Sequence, residues 1–274
     1  MSRVLKVSRC GYYKWRKQPI SHRKAENLKI LENIRIIREK QPKKQSYGSP
    51  RLRWELNMLG IKCHKNRVAR IMRANGIRAR IKRKFVVTTN SQHKNPIAPN
   101  LLRQKFDVLR PDVAYVSDIT YIPTAEGWLY LAVILDLFSR KVIGWAVDKE
   151  LNTGLIIKAL NNARIARKRT RDVLLHSDRG SQYASFEYRD MTERYGYVQS
   201  MSGAGNCYDN AVVESFFNTL KTEWVFWHRY KTRAEATSSI FDYIETFYNR
   251  ERRHSKLGYL SPVEYEKRYT KLVA

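Results

Sequence analysis

The chain has 274 residues, of which 43% are hydrophobic and six are Trp, so it is long enough for one ordinary core beside a smaller module. No apolar run approaches the ~20 residues that cross a bilayer, and the basic start of the chain predicts no signal peptide. Three scattered cysteines disfavour a disulfide framework or a zinc knuckle, and we therefore expect a reducing, cytoplasmic setting.

Positive charge is concentrated in the first part of the chain. The net charge is +28, and residues 1–110 alone hold 30 Lys and Arg against 5 Asp and Glu, or +25. A field this strong in one segment predicts a polyanionic partner. On charge alone, a merely solubilising basic surface remains the alternative. An anionic membrane is disfavoured because no basic amphipathic helix has a lipid-seeking face.

The basic segment is predicted to be helical. A 3.6-residue apolar period predicts a helix over residues 22–40, ended by Pro42. A shorter helix is predicted to be capped at Ser49-Pro50 and to end at Gly60, and another to run over residues 66–75 and to stop at Gly76.

The last two of these helices resemble a helix-turn-helix, in which the second helix enters a groove of DNA. The apolar side of that second helix is formed by Val68, Ile71 and Met72, and its opposite side by Arg67, Arg70 and Arg73. We therefore predict that the three arginines contact DNA. The alternative is a small helical bundle with a solvated basic face.

Beyond a polar, proline-containing linker at residues 90–100, the pattern changes to strands. Residues 114–123, 128–138 and 141–147 are predicted to pair as an antiparallel meander, with a turn at Glu126-Gly127.

A helix capped by Thr153 and a strand at residues 173–175 follow, and a right-handed crossover would make this fourth strand parallel to an earlier one. A helix over 186–195 and a strand over 197–201 complete a mixed five-stranded sheet. Helices over 211–224 and 233–248 come next, and the second begins with a capping box. A further capping box, Ser261-Pro262-Val263-Glu264, begins the last helix.

Three carboxylates stand out by position in these elements. Asp118 lies within the first strand, Asp178 ends the fourth strand, and Glu214 lies on the helix over 211–224. If the first and fourth strands are neighbours, these acids meet at the sheet edge, where unpaired carboxylates would repel one another. All-oxygen sites suit Mg²⁺ or Mn²⁺, and two such ions ~3.5–4 Å apart stabilise displacement at phosphorus.

Each acid has a simpler interpretation when it is taken alone, as a surface or capping residue. Asp209, just ahead of the helix over 211–224, is interpreted as a cap. Asp136, inside the second strand, is interpreted as a structural partner of a basic group such as Arg140. Lys221 lies seven residues after Glu214 and points the same way.

Several motifs together resemble the OrfB transposases of insertion-sequence family three, which belong to the DDE integrase group. Between Asp178 and Glu214 lie 35 residues, the spacing of that family's DD(35)E motif. The similarity covers nearly the whole chain in order. The segments that carry it are Asp118-Ile119-Thr120-Tyr121, His176 to Tyr183, Gly205 to Ala211, Glu214-Ser215-Phe216-Phe217, Tyr47-Gly48 and the stretch from Tyr248 to Pro262.

The resemblance implies an α/β fold with a ribonuclease-H-like mixed five-stranded sheet flanked by helices and preceded by an all-α helix-turn-helix module. It implies that Asp118, Asp178 and Glu214 are catalytic residues holding two Mg²⁺ or Mn²⁺ ions. Water and then a freed 3′-hydroxyl would be the nucleophiles, without a covalent protein–DNA intermediate. Lys221 would face the DNA end, although an ordinary solvated lysine is the alternative. Site support or DNA positioning is expected of His176, Ser181, Gln182, Asn206 and Tyr208.

The expected domains are a basic helix-turn-helix module (1–85), a linker (86–106), the catalytic core (107–228) and a helical extension of the core (229–274). The expected partners are double-stranded DNA, as element ends and target, and further copies of the chain. A fusion to an upstream frame is a further possibility that the resemblance raises. The expected location is the bacterial cytoplasm, at the nucleoid, with no membrane partner.

Two other functions stay open on the sequence. One is a catalytically inactive DNA-binding regulator built on an integrase scaffold, and the other is a ribonuclease-H-like nuclease that does not join DNA strands.

Overall fold

The computed structural model describes residues 4, 8–17, 20–81, 96–168, 171–203 and 207–273. The chain divides into two compact units, Met1–Arg80 and Ile81–Ala274. Residues 82–95, which include the end of the predicted module and residues 86–95 of the predicted linker, lie outside the described residues, as do Gly205 and Asn206. Within the described ranges, no helix is long and apolar enough to cross a membrane.

The first unit is helical, as its apolar period predicts. Its helices are α1 (Arg9–Lys17), α2 (His22–Lys40), α3 (Ser49–Met58) and α4 (Lys65–Ala74). Helix α1 was not predicted from the sequence, because it buries none of its residues and so shows no core-facing stripe. The core of the unit includes Ile30, Ile34, Tyr47, Leu52, Leu56, Val68, Ile71 and Met72.

The ends of α3 and α4 explain the turns of this unit. Gly60 and Gly76 follow them with φ of 78° and 66°, the left-handed conformation that glycine adopts without strain. The predicted cap at Ser49 is one residue out. Gly48 is the N-cap, and Ser49 and Pro50 occupy the first turn. Proline is tolerated there because backbone N–H groups of the first turn have no hydrogen-bond acceptor within the helix.

The second unit contains the predicted mixed sheet. Its strands are β1 (Ala114–Thr124), β2 (Gly127–Asp136), β3 (Val142–Asp148), β4 (Val173–Ser177) and β5 (Tyr197–Met201), in the order β3-β2-β1-β4-β5. The pairs β1–β2 and β2–β3 are antiparallel, whereas β1–β4 and β4–β5 are parallel. The predicted meander and crossover are both confirmed.

Helices flank this sheet, as predicted. They are α5 (Thr153–Ala166), α6 (Phe186–Arg194), α7 (Ala211–Glu223), α8 (Arg233–Phe241), which continues as a π-helix over Asp242–Tyr248, and α9 (Pro262–Val273). The cap of α5 is Asn152, which accepts a hydrogen bond from the Leu155 N–H, and not the predicted Thr153. At α9 the capping box is complete: Ser261 N–H donates to Glu264 Oε2, and Glu264 N–H donates to Ser261 Oγ.

Close contact between α5 and the sheet fixes the core of this unit. A Cβ on Gly144 of β3 would lie 2.6 Å from the Ala163 Cβ, so only glycine lets the helix approach this strand. Leu155, Ile156, Ala159, Leu160 and Ala163 of α5 are buried, as the sequence predicts. The sheet is therefore rigidly backed behind the strands that position the acidic residues.

Candidate active site

The parallel pairing of β1 with β4 places two predicted acids next to each other. The ladder runs from Ala114 opposite Leu174 to Ser117 opposite Ser177. Asp118 is the next residue of β1, and Asp178 directly follows the last residue of β4. The two carboxylates therefore start from the same end of one ladder. Since neighbouring strands lie ~4.8 Å apart, their backbones are adjacent there.

Backbone N–H groups hold both aspartates. The Ile119 N–H donates to Asp118 Oδ1 at 2.7 Å, and the Gly180 N–H donates to Asp178 Oδ1 at 2.9 Å. A Cβ on Gly180 would lie 3.0 Å from that same oxygen, which explains the glycine in the turn after β4. Both residues are half-buried.

The charges of neighbouring carboxylates affect the pKa values of Asp118 and Glu214. Burial raises the pKa of Asp118 well above its usual value, and the charges of Asp178 and Glu214 raise it further. Burial likewise raises the pKa of Glu214, and Asp178 adds to that rise. Glu214 lies in the first turn of α7 with its side chain exposed. All three acids therefore share one region of negative potential.

Carboxylates in this arrangement fit a hard divalent cation by their chemistry. They supply only oxygen donors, and their mutual repulsion is what a bound cation would relieve. As placed, no three His, Cys, Asp or Glu side chains among the described residues are close enough together to hold an ion. The three acids are therefore near enough to affect one another's charge but not close enough, as they stand, to share an ion.

Lys221 lies on the same side of α7 as Glu214, as predicted. Its Nζ lies 4.6 Å from the centroid of the Tyr121 ring, and the Asp118 carboxylate attracts it. Burial lowers the pKa of Lys221, and Asp118 opposes that shift. The Lys221 ammonium thus lies near Asp118 and over the Tyr121 ring. The spacing of residues in the sequence did not predict the contact with Tyr121.

His176 is fully buried in β4, two residues before Asp178. Its Nδ1 lies 2.8 Å from Ser200 Oγ, and its Nε2 lies 3.3 Å from Ser202 Oγ. Burial lowers the pKa of His176 to about 4, although Asp209 opposes the shift. The imidazole is therefore neutral and joins the ends of β4 and β5, which agrees with the supporting role expected of it.

Comparison with known proteins identifies the family. Integrase core domain models match residues 109–207 and 214–269, and an HTH-like domain model matches residues 25–85. The chain is 42% identical to the transposase InsF of insertion sequence IS3A from Escherichia coli (strain K12), over 97% of this chain and 92% of that protein. The chain belongs to the insertion-sequence family three transposases of the DDE integrase group.

Two further comparisons agree with this assignment. The transposase is 43% identical, over the full length of both proteins, to an uncharacterised 31 kDa protein of insertion element IS600 from Shigella sonnei. It also resembles a chain of the simian T-cell lymphotropic virus intasome, solved with PP2A regulatory subunit B56 gamma. That match has a TM-score of 0.50 and 17% identity over 80% of this chain and 70% of that one. At this identity the match supports the fold alone, and it agrees with the ribonuclease-H-like core.

Asp209 of the transposase is not a helix cap, contrary to the sequence interpretation. Its carboxylate accepts hydrogen bonds from Asn100 Nδ2 at 2.8 Å, Gln104 Nε2 at 2.9 Å and Gly203 N–H at 2.7 Å. The N-cap of α7 is Asn210, whose side chain donates to the Ser117 carbonyl at 3.3 Å instead of capping. Asp209 thus ties the segment before β1 to the loop that leads into α7.

Asp136 is structural, but Arg140 is not its ion-pair partner. Its Oδ2 lies 2.8 Å from Nη2 of Arg167, which α5 brings to the sheet. Burial raises the pKa of Asp136 to about 6, against the opposing charge of Arg167. Arg140 donates instead to the Phe106 carbonyl at 3.1 Å and lies 4.0 Å from Asp107.

The three arginines of α4 do not have equal surroundings. Arg67 is 2.7 Å from Glu26 Oε2 and donates to Asn27 Oδ1 at 2.8 Å, so it joins α4 to α2. Arg70 and Arg73 are exposed. Arg70 and Arg73 are therefore accessible to DNA, whereas Arg67 already contacts Glu26 and Asn27 within the protein.

Proposed function

We propose that Asp118, Asp178 and Glu214 are the catalytic residues of this transposase and that they hold two divalent ions, Mg²⁺ or Mn²⁺. The position of Asp118 and Asp178, directly after the last paired residues of two parallel strands, carries this proposal. When bound, the ions supply charge stabilisation for the attacking and leaving oxygens of a displacement at phosphorus.

Residues of this chain orient both the acids and the DNA. The N–H groups of Ile119 and Gly180 hold the two aspartates, so that little ordering is left to occur on binding. Lys221 places a positive charge beside Asp118, where it binds a phosphate of the DNA end. Water would attack the phosphate at the element end, breaking its bond to the 3′-oxygen and freeing a 3′-hydroxyl. That hydroxyl would then attack a target phosphate and displace the 3′-oxygen of the target strand, so one phosphodiester bond forms as another breaks.

We further propose that residues 1–85 form the module that binds double-stranded DNA. In this module Arg67, Arg70 and Arg73 would face the phosphate backbone of the DNA. Residues 86–106 would be a linker, residues 107–228 the catalytic core and residues 229–274 its helical extension. Copies of the chain would pair the two element ends, in the bacterial cytoplasm at the nucleoid. Fusion to an upstream frame would add a further DNA-binding segment.

The deciding experiment compares Asp178→Asn with the wild type on labelled element ends. Cleavage and strand joining are measured in Mn²⁺, and DNA affinity is measured separately. We expect the variant to bind DNA as the wild type does and to lose cleavage and joining. The matched control is Asp190→Asn, which changes a partly exposed acid that pairs with Arg194 on α6.

The outcomes separate the three functions. Joined DNA products from the wild type, absent with Asp178→Asn, support the transposase site. Binding without cleavage by the wild type indicates an inactive regulator. Hydrolysis of an RNA–DNA hybrid without strand joining indicates a nuclease. Unchanged cleavage by Asp178→Asn contradicts the assignment of the acids.

A further inference from the structure

Two aromatic residues lie on one face of the β1–β2 hairpin, beyond the candidate acids. In the antiparallel register Pro123 is opposite Trp128 and Tyr121 is opposite Tyr130, so Tyr121 and Trp128 share a face. Their ring centroids are 4.8 Å apart in an edge-to-face arrangement at 81°. Trp128 is 49% exposed, which leaves much of a large ring open to solvent. We refer to these two residues as the Tyr121–Trp128 pair.

Lys221 lies beside this pair because part of the β1 edge is uncovered. The pairing with β4 ends at Ser117, and on that side the next backbone bridge joins Thr124 to Tyr230. Lys221 reaches this gap from α7, where its Nζ lies over the Tyr121 ring. Attraction between an ammonium and an aromatic face fixes the position of the charge.

The hairpin that carries Trp128 is held in place before any ligand binds. The Arg233 N–H donates to Glu126 Oε2 at 2.8 Å, and Arg233 Nε donates to the Trp128 carbonyl at 3.0 Å. Two hydrogen bonds thus clamp the turn and the start of β2 to the beginning of α8. A binding surface that is rigid in the free protein loses little entropy on binding.

We propose that Trp128 stacks on an unpaired base of the bound DNA, while Lys221 binds a neighbouring phosphate and Tyr121 positions Lys221. A positive charge beside exposed aromatic rings is the combination that binds single-stranded nucleic acid. The proposal rests on the proposed function, because it requires a DNA end at the acids.

The length of the strand indicates where that base lies. Pro123, the partner of Trp128, lies five positions after Asp118, and a strand rises ~3.3 Å per residue. The strand therefore advances roughly 17 Å between them, and the odd number of positions places Asp118 on the face of β1 opposite to Pro123 and Tyr121. The stacked base is therefore separated from the scissile phosphate along the DNA and is not the reacting nucleotide itself.

The test uses the full chain without divalent metal, so that its readout does not depend on the three acids. The probes are DNA duplexes with six unpaired nucleotides at one end and 2-aminopurine at one unpaired position at a time. Quenching of 2-aminopurine reports stacking, and the anisotropy of a dye at the blunt end reports affinity. A fully blunt duplex serves as the reference DNA.

We expect the wild type to quench 2-aminopurine most strongly at one position. Trp128→Ala abolishes this quenching and weakens binding of the unpaired end on the order of tenfold, with blunt-duplex affinity unchanged, whereas Trp128→Phe retains most of both. The control Phe186→Ala removes a 75% exposed aromatic residue on α6 and changes neither measurement.

The positioning role of Tyr121 has its own readout. Tyr121→Leu should reduce the salt dependence of unpaired-end binding by about one phosphate contact, and Tyr121→Phe, which keeps the ring face, should restore it. Quenching that survives Trp128→Ala, or an equal affinity loss on blunt duplex, overturns the stacking site. If the wild type quenches 2-aminopurine as expected but does not cleave element ends in the separate Mn²⁺ assay, that result counts against the proposed catalytic function alone.

Discussion

Ser117 and Ser177 are opposite each other as the last pair in the parallel ladder between β1 and β4. Asp118 and Asp178 extend from that pair on adjacent strands, and Glu214 on α7 adds a third negative charge to the same region. Burial and both neighbouring carboxylates raise the pKa of Asp118. This crowding of negative charge lowers the stability of the folded protein. A bound cation would relieve the repulsion and would therefore stabilise the fold.

The first prediction is that Mg²⁺ stabilises the protein through these acids. Because the pKa of Asp118 is higher folded than unfolded, its contribution to stability is complete below pH ~4 and is lost as pH rises. At neutral pH, Asp118→Asn without metal should therefore melt above the wild type. Mg²⁺ at 100 times its dissociation constant adds about 2.7 kcal/mol, a rise of several degrees in Tm.

Thermal melts with and without Mg²⁺ check this. The wild type and the control Asp190→Asn should show the same metal-dependent rise, and Asp118→Asn should show little. An equal rise in all three proteins would place the stabilising ion elsewhere.

Local patterns in the sequence were sufficient to predict most of the sheet. Strand β5 begins and ends where alternation and the flanking turn signals place it, and the capping box at Ser261 forms as expected. The cap of α5 was misplaced by one residue because Asn152 and Thr153 are both good capping residues. Helix α1 escaped prediction because helical periodicity is recognised by a buried stripe, which α1 lacks.

Contacts between distant segments were the part that the sequence did not reveal. The position of Asp118 beside Asp178 was predictable because it follows from strand order alone. Two of the partners of Asp209, Asn100 and Gln104, lie more than 100 residues earlier, and no spacing rule indicates them. Arg167 reaches Asp136 only because α5 folds back on the sheet.

The second prediction concerns this buried ion cluster. Arg167 is 11% exposed, and its guanidinium contacts Asp112 at 3.1 Å, Asp136 at 2.8 Å and also Glu266 of α9. Arg167→Met leaves these three acids without that cation. Removing one partner of a buried pair costs about 3–5 kcal/mol, since the remaining charge stays uncompensated.

Urea unfolding measures this loss. Arg194→Met is the matched control, because Arg194 is 70% exposed and pairs with Asp190 one turn away on α6. It should change the unfolding free energy by less than about 1 kcal/mol. Similar values for the two variants would show that the cluster contributes no more than a surface pair.

The third prediction is a loss of stability in acid that depends on His176. Its pKa falls from 6.5 unfolded to about 4 folded, so its contribution is complete above pH 6.5 and is lost as pH falls through the folded pKa. The shift corresponds to about 3 kcal/mol over this window. His176→Gln, which keeps polar atoms near Ser200 but does not titrate, should flatten the curve.

Unfolding free energies measured between pH 7 and pH 4 test the difference between the two proteins. Replacement of the exposed His228 by Gln is the control, and it should leave the wild-type slope unchanged. Parallel curves for the wild type and His176→Gln would mean that other groups cause the acid sensitivity.

The fourth prediction separates two kinds of arginine on α4. Arg70→Gln and Arg73→Gln should each reduce the slope of log affinity against log salt by about one, because each removes one phosphate contact. Their unfolding free energies should stay within about 0.5 kcal/mol of the wild type, since both side chains are exposed. Arg67→Gln should also cost about 1 kcal/mol of unfolding free energy, because it breaks the link to Glu26 and Asn27.

Salt titrations of DNA affinity, paired with urea unfolding of the same variants, decide between these roles. Glu26→Gln provides a further check, since it removes the partner of Arg67 and leaves all three arginines in place. If Arg67 only holds α4 against α2, Glu26→Gln lowers stability and leaves the salt slope unchanged. An increased slope in Glu26→Gln would show that Arg67, once released from its partner, binds a phosphate as Arg70 and Arg73 do.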